Sequence, residues 1–159
     1  SLKTIDCKTN NLTSLPNILP SSLTQLYCSH NKLSLLPDNL PSSLTTLDCY
    51  NNKLTKLSNS LPRQLTSLDC SYNQLTELTN HLPLSLASLY CYINQIKYLP
   101  DIHEWIVRVE TLRLPRNVVA HMNFPNGIDE KRIDVVYEDF KNLVVSSLIP
   151  SSLNLQIPS

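Results

Sequence analysis

One glycine, Gly127, serves the whole chain of 159 residues. Tight hairpins need glycine wherever φ turns positive, so a hairpin-rich fold is excluded and the chain must turn by some other, repeated device. Eleven prolines and many Asn and Ser residues are available for it. Net charge is absent as well: thirteen acidic and thirteen basic side chains cancel, and only 16% of the residues are charged. That balance leaves no electrostatic footprint for nucleic acid or for an anionic membrane. No apolar run approaches the roughly 20 residues that span a bilayer. No signal peptide is visible, and the chain opens at Ser1 in mid-pattern, so upstream sequence is expected to be missing.

What the chain does have is a period. Cys7, Cys28, Cys49, Cys70 and Cys91 are each 21 residues apart. Leu2, Leu23, Leu44, Leu65 and Leu86 form a second column, and Ile5, Leu26, Leu47, Leu68 and Leu89 a third. After each cysteine comes Asn10, Asn31, Asn52, Asn73 or Asn94. Two more apolar columns start at Leu12 and Leu15 and end at Ile96 and Leu99. Leu-Pro pairs at 19–20, 40–41, 61–62 and 82–83 close four of the units. A degenerate sixth unit, shifted by two residues, runs through Val109, Leu112, Leu114, Asn117, Val119 and Met122.

The pattern LxxLxCxxNxLxxL resembles the leucine-rich repeat, with Cys in place of one leucine, over residues 1–125. The resemblance implies an α/β solenoid, a right-handed superhelix with parallel strands lining a concave face and an extended, polyproline-like convex side. Short repeats of this kind are similar to those of bacterial effectors, and the Asn/Lys-rich composition to repeats of giant viruses.

Physical reasoning reaches the same fold. A 21-residue unit cannot bury six apolar side chains alone, whereas stacked coils share one core. The LxC segment alternates inward and outward as a strand requires, and neighbouring strands pair at about 4.8 Å. The recurring asparagine is structural in this reading, its amide serving backbone groups where the chain leaves the strand.

The cysteines then point inward in a straight column. Neighbouring rungs fit disulfide geometry poorly, five is an odd number, and a column cannot wrap four sulfurs around zinc. The preferred reading is a core of inert, buried thiols, with partial disulfides or a metal site as the alternatives. Free thiols favour a reducing, intracellular setting, such as a host cytoplasm. No cofactor or metal site is expected.

Near the end of the array, Pro100 is placed to start a short helix over PDIHEWIVR, with Trp105 and Ile106 covering the last coils. Ile133, Val136, Tyr137, Phe140 and Val144 follow helical spacing, and 126–146 is expected to be a C-terminal capping helix, with 147–159 an extended tail. Nothing comparable precedes Leu2, so self-association through an uncapped strand at residues 3–7 is one expectation.

The outward columns are where function is sought. The residue before each Cys is Asp6, Tyr27, Asp48, Asp69, Tyr90 and, in the sixth unit, Arg113. The two residues after it contribute Tyr50, Tyr72 and Tyr92, so five of seven tyrosines share one face. Tyrosine gives large contact area at low entropic cost. The flanking columns are small and polar, which is expected to leave the rings standing proud. Asp48 and Asp69 should be like-charged cross-strand neighbours. Tyr27, Asp48, Tyr50, Asp69, Tyr72, Tyr90 and Tyr92 are therefore the candidate partner-binding residues.

Catalysis is not expected. Ser29, His30 and Asp48 have triad types, but Ser29 and His30 are adjacent in sequence and no oxyanion hole is evident. His81, His103 and His121 lack metal-ligand spacing. The expected function is a non-enzymatic module binding a partner protein through its concave face, in a viral or bacterial protein acting on a eukaryotic host. The alternatives are the recognition portion of a larger host-modifying enzyme, such as a ubiquitin ligase, and a self-associating structural component.

Overall fold

A computed structural model of the chain describes residues 1–79 and 81–96, together with the backbone of 111–113. Six short strands follow one another: β1 (Thr4–Asp6), β2 (Gln25–Tyr27), β3 (Thr46–Asp48), β4 (Ser67–Asp69), β5 (Ser88–Tyr90) and β6 (Thr111–Arg113). They form one parallel sheet in sequence order. Each pairs with the next at the same step of the repeat: Ile5 with Leu26, Leu26 with Leu47, Leu47 with Leu68, Leu68 with Leu89. Leu89 then pairs with Leu112, a step of 112 − 89 = 23 residues, so the two-residue shift of the sixth unit is absorbed outside the strand.

The strands are three residues long because only the central leucine points in, with half-exposed side chains on either side from β2 to β5. One core runs through the stack. Leu23, Leu44, Leu65 and Leu86 line it beside Leu26, Leu47, Leu68 and Leu89, with Cys28, Cys49, Cys70 and Cys91 next in the column, all essentially inaccessible. β1 is an edge strand, and Leu2 in the first coil is 54% exposed although its counterparts are fully buried.

The missing glycines are replaced by a repeated left-handed residue. Thr9, His30, Asn51, Tyr72 and Ile93 take φ between 50° and 55°, each just before the column asparagine. A non-glycine residue there costs about 1–2 kcal/mol, so something must hold the turn. The asparagines do. Asn52 Nδ2 donates to the carbonyls of Cys49 and Tyr50 in its own coil and of Cys28 in the preceding one, at 3.0–3.3 Å. Its Oδ1 accepts the N–H of Leu33 at 3.0 Å. Asn31 and Asn73 repeat this set, so each turn is tied to the coil before it.

Two further polar ladders lie where the chain re-enters the sheet. Thr24, Thr45 and Thr66 each donate a hydroxyl at 3.0 Å to the carbonyl of the residue 21 positions earlier. Ser43 and Ser85 each donate to two carbonyls of the previous coil. A turn after each Leu-Pro pair returns the chain to the strand, with Leu23, Leu44, Leu65 and Leu86 donating N–H to Pro20, Pro41, Pro62 and Pro83. The return segments are irregular, and among the described residues no helix occurs. The expected helix over PDIHEWIVR, the capping helix at 126–146 and the tail at 147–159 lie outside the described residues.

Candidate functional site

The strand face carries two parallel columns of large or charged side chains. The first is the last residue of each strand. Register places Asp6 beside Tyr27, Tyr27 beside Asp48, Asp48 beside Asp69, Asp69 beside Tyr90 and Tyr90 beside Arg113. The expected like-charge neighbours Asp48 and Asp69 are therefore adjacent.

Each of these carboxylates has a local task. Asp6, Asp48 and Asp69 accept, through Oδ1, the N–H two residues on, from Lys8, Tyr50 and Ser71 at 2.9–3.1 Å. Such Asx turns bend the chain out of the strand. Asp48 Oδ2 also accepts the hydroxyl of Ser29 at 2.9 Å. For Ser71, the equivalent serine two coils later, the residue at the step of Asp48 is Tyr90 instead of a carboxylate. The wholly buried Oγ of Ser71 is, among the described residues, the one buried side-chain oxygen or nitrogen left without a hydrogen bond.

The second column is a ladder of rings. His30 packs on Tyr50 with centroids 5.1 Å apart, Tyr50 on Tyr72 at 5.1 Å, and Tyr72 on Tyr92 at 5.6 Å in an edge-to-face arrangement. These are favoured geometries for aromatic pairs. The ladder zigzags: Tyr50 and Tyr92 directly follow their cysteines, whereas His30 and Tyr72 occupy the left-handed turn position one residue later. Asn51 Nδ2 lies 2.9 Å from His30 Nδ1, which holds the first ring.

This arrangement corrects one expectation. The tyrosines do not stand proud: Tyr27, Tyr50, Tyr72, Tyr90 and Tyr92 are all half-buried. Within the ladder the reason is direct, since each ring covers part of the next. The five rings also form two groups, because Tyr27 sits under Lys8, whose Nζ is 4.9 Å from its centroid, while Tyr90 belongs to the aspartate column. Ser29 and Ser71, at the step of Tyr50 and Tyr92, are buried. Reading the columns separately hides the ladder; taking the two post-cysteine positions alternately, coil by coil, would have revealed it with His30 as a member.

Ser29, His30 and Asp48 offer no catalytic geometry. Ser29 donates to Asp48 and is buried, while His30 is turned to Tyr50 and Asn51. Among the described residues no group of His, Cys, Asp and Glu could hold a metal ion. A separate groove of about 340 Å³ on another side, floored by Leu15, Leu36, Pro37 and Leu57, brings together no chemically reactive set.

None of the five cysteines is joined in a disulfide. Cys7, Cys49 and Cys70 donate Sγ–H to the carbonyls of Tyr27, Asp69 and Tyr90 in the following coil at 3.2–3.5 Å. Burial pushes the Cys28 thiol up to about 12, helped by Cys7 and Asp48. Cys49, Cys70 and Cys91 are raised as well, again mainly by burial, with nearby Asp69 adding to it. Thiols so held are poor nucleophiles.

Comparison with known proteins agrees with this geometry. The family model described as Leucine Rich Repeat matches residues 22–42, 43–63 and 64–89. Among solved structures, the LRR domain of a Shigella effector is 34% identical over 79% of this chain, with a TM-score of 0.70. The functional domain of InlJ from Listeria monocytogenes, which includes a cysteine ladder, is 28% identical over 72% of the chain, with a TM-score of 0.55. YopM from Yersinia enterocolitica is 26% identical over 74%, with a TM-score of 0.50. This chain spans 54% of the Shigella chain, 30% of the InlJ chain and 36% of the YopM chain. No curated protein matches it.

Proposed function

The chain belongs to the leucine-rich-repeat family, and from that premise we propose that it is a non-enzymatic module that binds a partner protein through its strand face. The observation that carries the proposal is the ladder His30–Tyr50–Tyr72–Tyr92. It runs across four consecutive coils of one sheet, with its three tyrosines half-buried and so already ordered before any partner arrives. Pre-ordered aromatic surface beside a polar column loses little side-chain freedom on association, which is what recognition surfaces need. Tyr27, Asp48, Asp69 and Tyr90 complete the proposed surface.

Likeness to the LRR domain of a Shigella effector and to YopM supports a bacterial protein acting on a eukaryotic host; no viral protein is among these neighbours. A second reading has the same likeness behind it: the chain is the recognition part of a larger host-modifying enzyme, such as a ubiquitin ligase. Among the described residues no helix is long and apolar enough to cross a membrane.

The test compares the parent chain with a Tyr50→Ala, Tyr72→Ala, Tyr92→Ala variant, shown by circular dichroism to be folded, in pull-downs from eukaryotic lysate. A protein retained by the parent and lost by the variant is the expected result. Equal recovery by both would sink the strand-face reading.

A further inference from the structure

Where each coil leaves its asparagine turn and runs toward its Leu-Pro pair, the hydrogen-bonded ladder stops. Among the described residues, none of Ser34, Leu35, Leu36, Asp38, Lys56 or Leu57 takes part in a hydrogen bond or an ion pair. Their amides and carbonyls are left to solvent, unlike those of the strands and the asparagine turns. Across these segments of coils 1 to 3 runs the groove of about 340 Å³. Its floor is a leucine column that the solenoid covers incompletely. Leu36 and Leu57 keep 7% and 5% of their surface, against 0% for Leu33 and Leu54 three residues earlier.

The walls of the groove depart from the repeat. Leu35 is 50% exposed at a step where other coils carry Ser14, Lys56 and Glu77. Asp38 stands where coils 1 and 3 have Asn17 and Asn59. Asp38 and Lys56 both line the groove and are both exposed, one in coil 2 and one in coil 3. Glu77, at the step of Lys56 in coil 4, forms no ion pair with it. Opposite charges thus stand along one apolar floor without neutralising each other. Lys56 aligns with position 56 − 21 = 35, so Asp38 lies 38 − 35 = 3 residues farther along the groove. Three residues of extended chain span roughly 10 Å.

We propose that this groove is a second docking site, away from the strand face, for an extended segment of a partner protein. The segment carries an acidic and a basic residue about three positions apart, with apolar residues between them. Its carboxylate pairs with Lys56 and its cation with Asp38. The apolar side chains lie over Leu36 and Leu57, and the segment's backbone bonds amides and carbonyls that no coil uses. An extended peptide answers each of these features, because it offers main-chain groups and alternate side chains to one groove. The two charges fix its direction. A small apolar molecule would leave the charges and the backbone unanswered. The groove shares no residue with the ladder His30–Tyr50–Tyr72–Tyr92, so it stands or falls apart from the strand-face reading.

The experiment titrates the whole chain, ¹⁵N-labelled, with three peptides at one ionic strength. They are acetyl-Glu-Leu-Phe-Lys-amide, the reversed acetyl-Lys-Phe-Leu-Glu-amide and the neutral acetyl-Gln-Leu-Phe-Gln-amide. One of the two charged orders should move the amide signals of Leu35, Leu36 and Leu57. It should bind at least about threefold more tightly than the neutral peptide, as two partly exposed ion pairs allow. The Asp38→Asn, Lys56→Gln variant is changed only at exposed positions, so it should fold as the parent does. It should bind all three peptides alike. Equal binding of charged and neutral peptides by the parent, or a charge preference that survives in the variant, would overturn the proposal. So would stillness of the Leu35, Leu36 and Leu57 amides with every peptide, or shifts confined to strand-face amides such as Tyr50. Movement of the groove amides on concentrating the chain alone would give the groove to a second copy, and the peptide proposal would fall.

Discussion

Asn52 shows how much one side chain can hold. Its amide makes four hydrogen bonds to backbone groups in two coils, in a position that is 8% exposed. Replacing it by alanine leaves the Leu33 N–H and at least one carbonyl without partners in the core, and removes the clamp on the left-handed turn at Asn51. Asn52→Ala should therefore destabilise the chain by on the order of 3 kcal/mol, read as a fall in the urea midpoint. A loss of under about 1 kcal/mol, the net worth of one ordinary hydrogen bond, would mean the ladder is ornamental. The structural role of this column was legible from recurrence alone, because an amide repeated at a fixed step beside buried leucines has backbone to satisfy. The Thr24, Thr45 and Thr66 ladder was not. Hydroxyls on a strand look like solvent-facing polar residues until the neighbouring carbonyl is placed beside them.

At the scale of the element, the cysteine column is a single titrating object. Its thiols are raised by burial in the folded state, so folding favours the neutral form over the thiolate. The unfolded thiols ionise near pH 8.5. Stability from this source is therefore fully present below about pH 8.5 and is lost as pH climbs from there toward the folded values, about 12 for Cys28. The urea midpoint should be level to about pH 8.5 and then fall, and the fall should be shallower in Cys49→Ala. At neutral pH that variant should lose about 1–2 kcal/mol through the cavity it leaves. An alkaline slope unchanged by the substitution would remove the column from the account. The inward direction of the cysteines followed from the strand alternation, but their bonds to Asp69 and Tyr90 carbonyls needed the adjacent coil.

For the whole molecule the consequence of a uniform register is modularity. Leu26 meets Leu47 and Leu47 meets Leu68 at one step, so deleting residues 43–63 should let β2 pair directly with β4. Repeat arrays are sums of units and neighbour interfaces. The shortened chain should fold with the same circular-dichroism signature, a lower urea midpoint and a smaller m-value in keeping with its reduced buried surface. It should also recover less of the lysate partner in pull-downs, because Asp48 and Tyr50 leave the strand face. Failure to fold would show that the coils are not interchangeable, despite their matched sequence columns.

The sequence by itself determined the period, the parallel order of the strands, the leucine and cysteine core and the structural asparagine. Each of these is dictated locally and repeated, so one coil predicts the next. Tertiary structure alone decided how side chains meet between coils. Which residue lies beside Ser71, which ring covers Tyr50 and how far a tyrosine protrudes depend on pairs 19 to 22 positions apart whose types vary from coil to coil. A repeat sets the positions of such pairs, but their chemistry comes from the exceptions to it, and those act only once neighbouring coils are in contact.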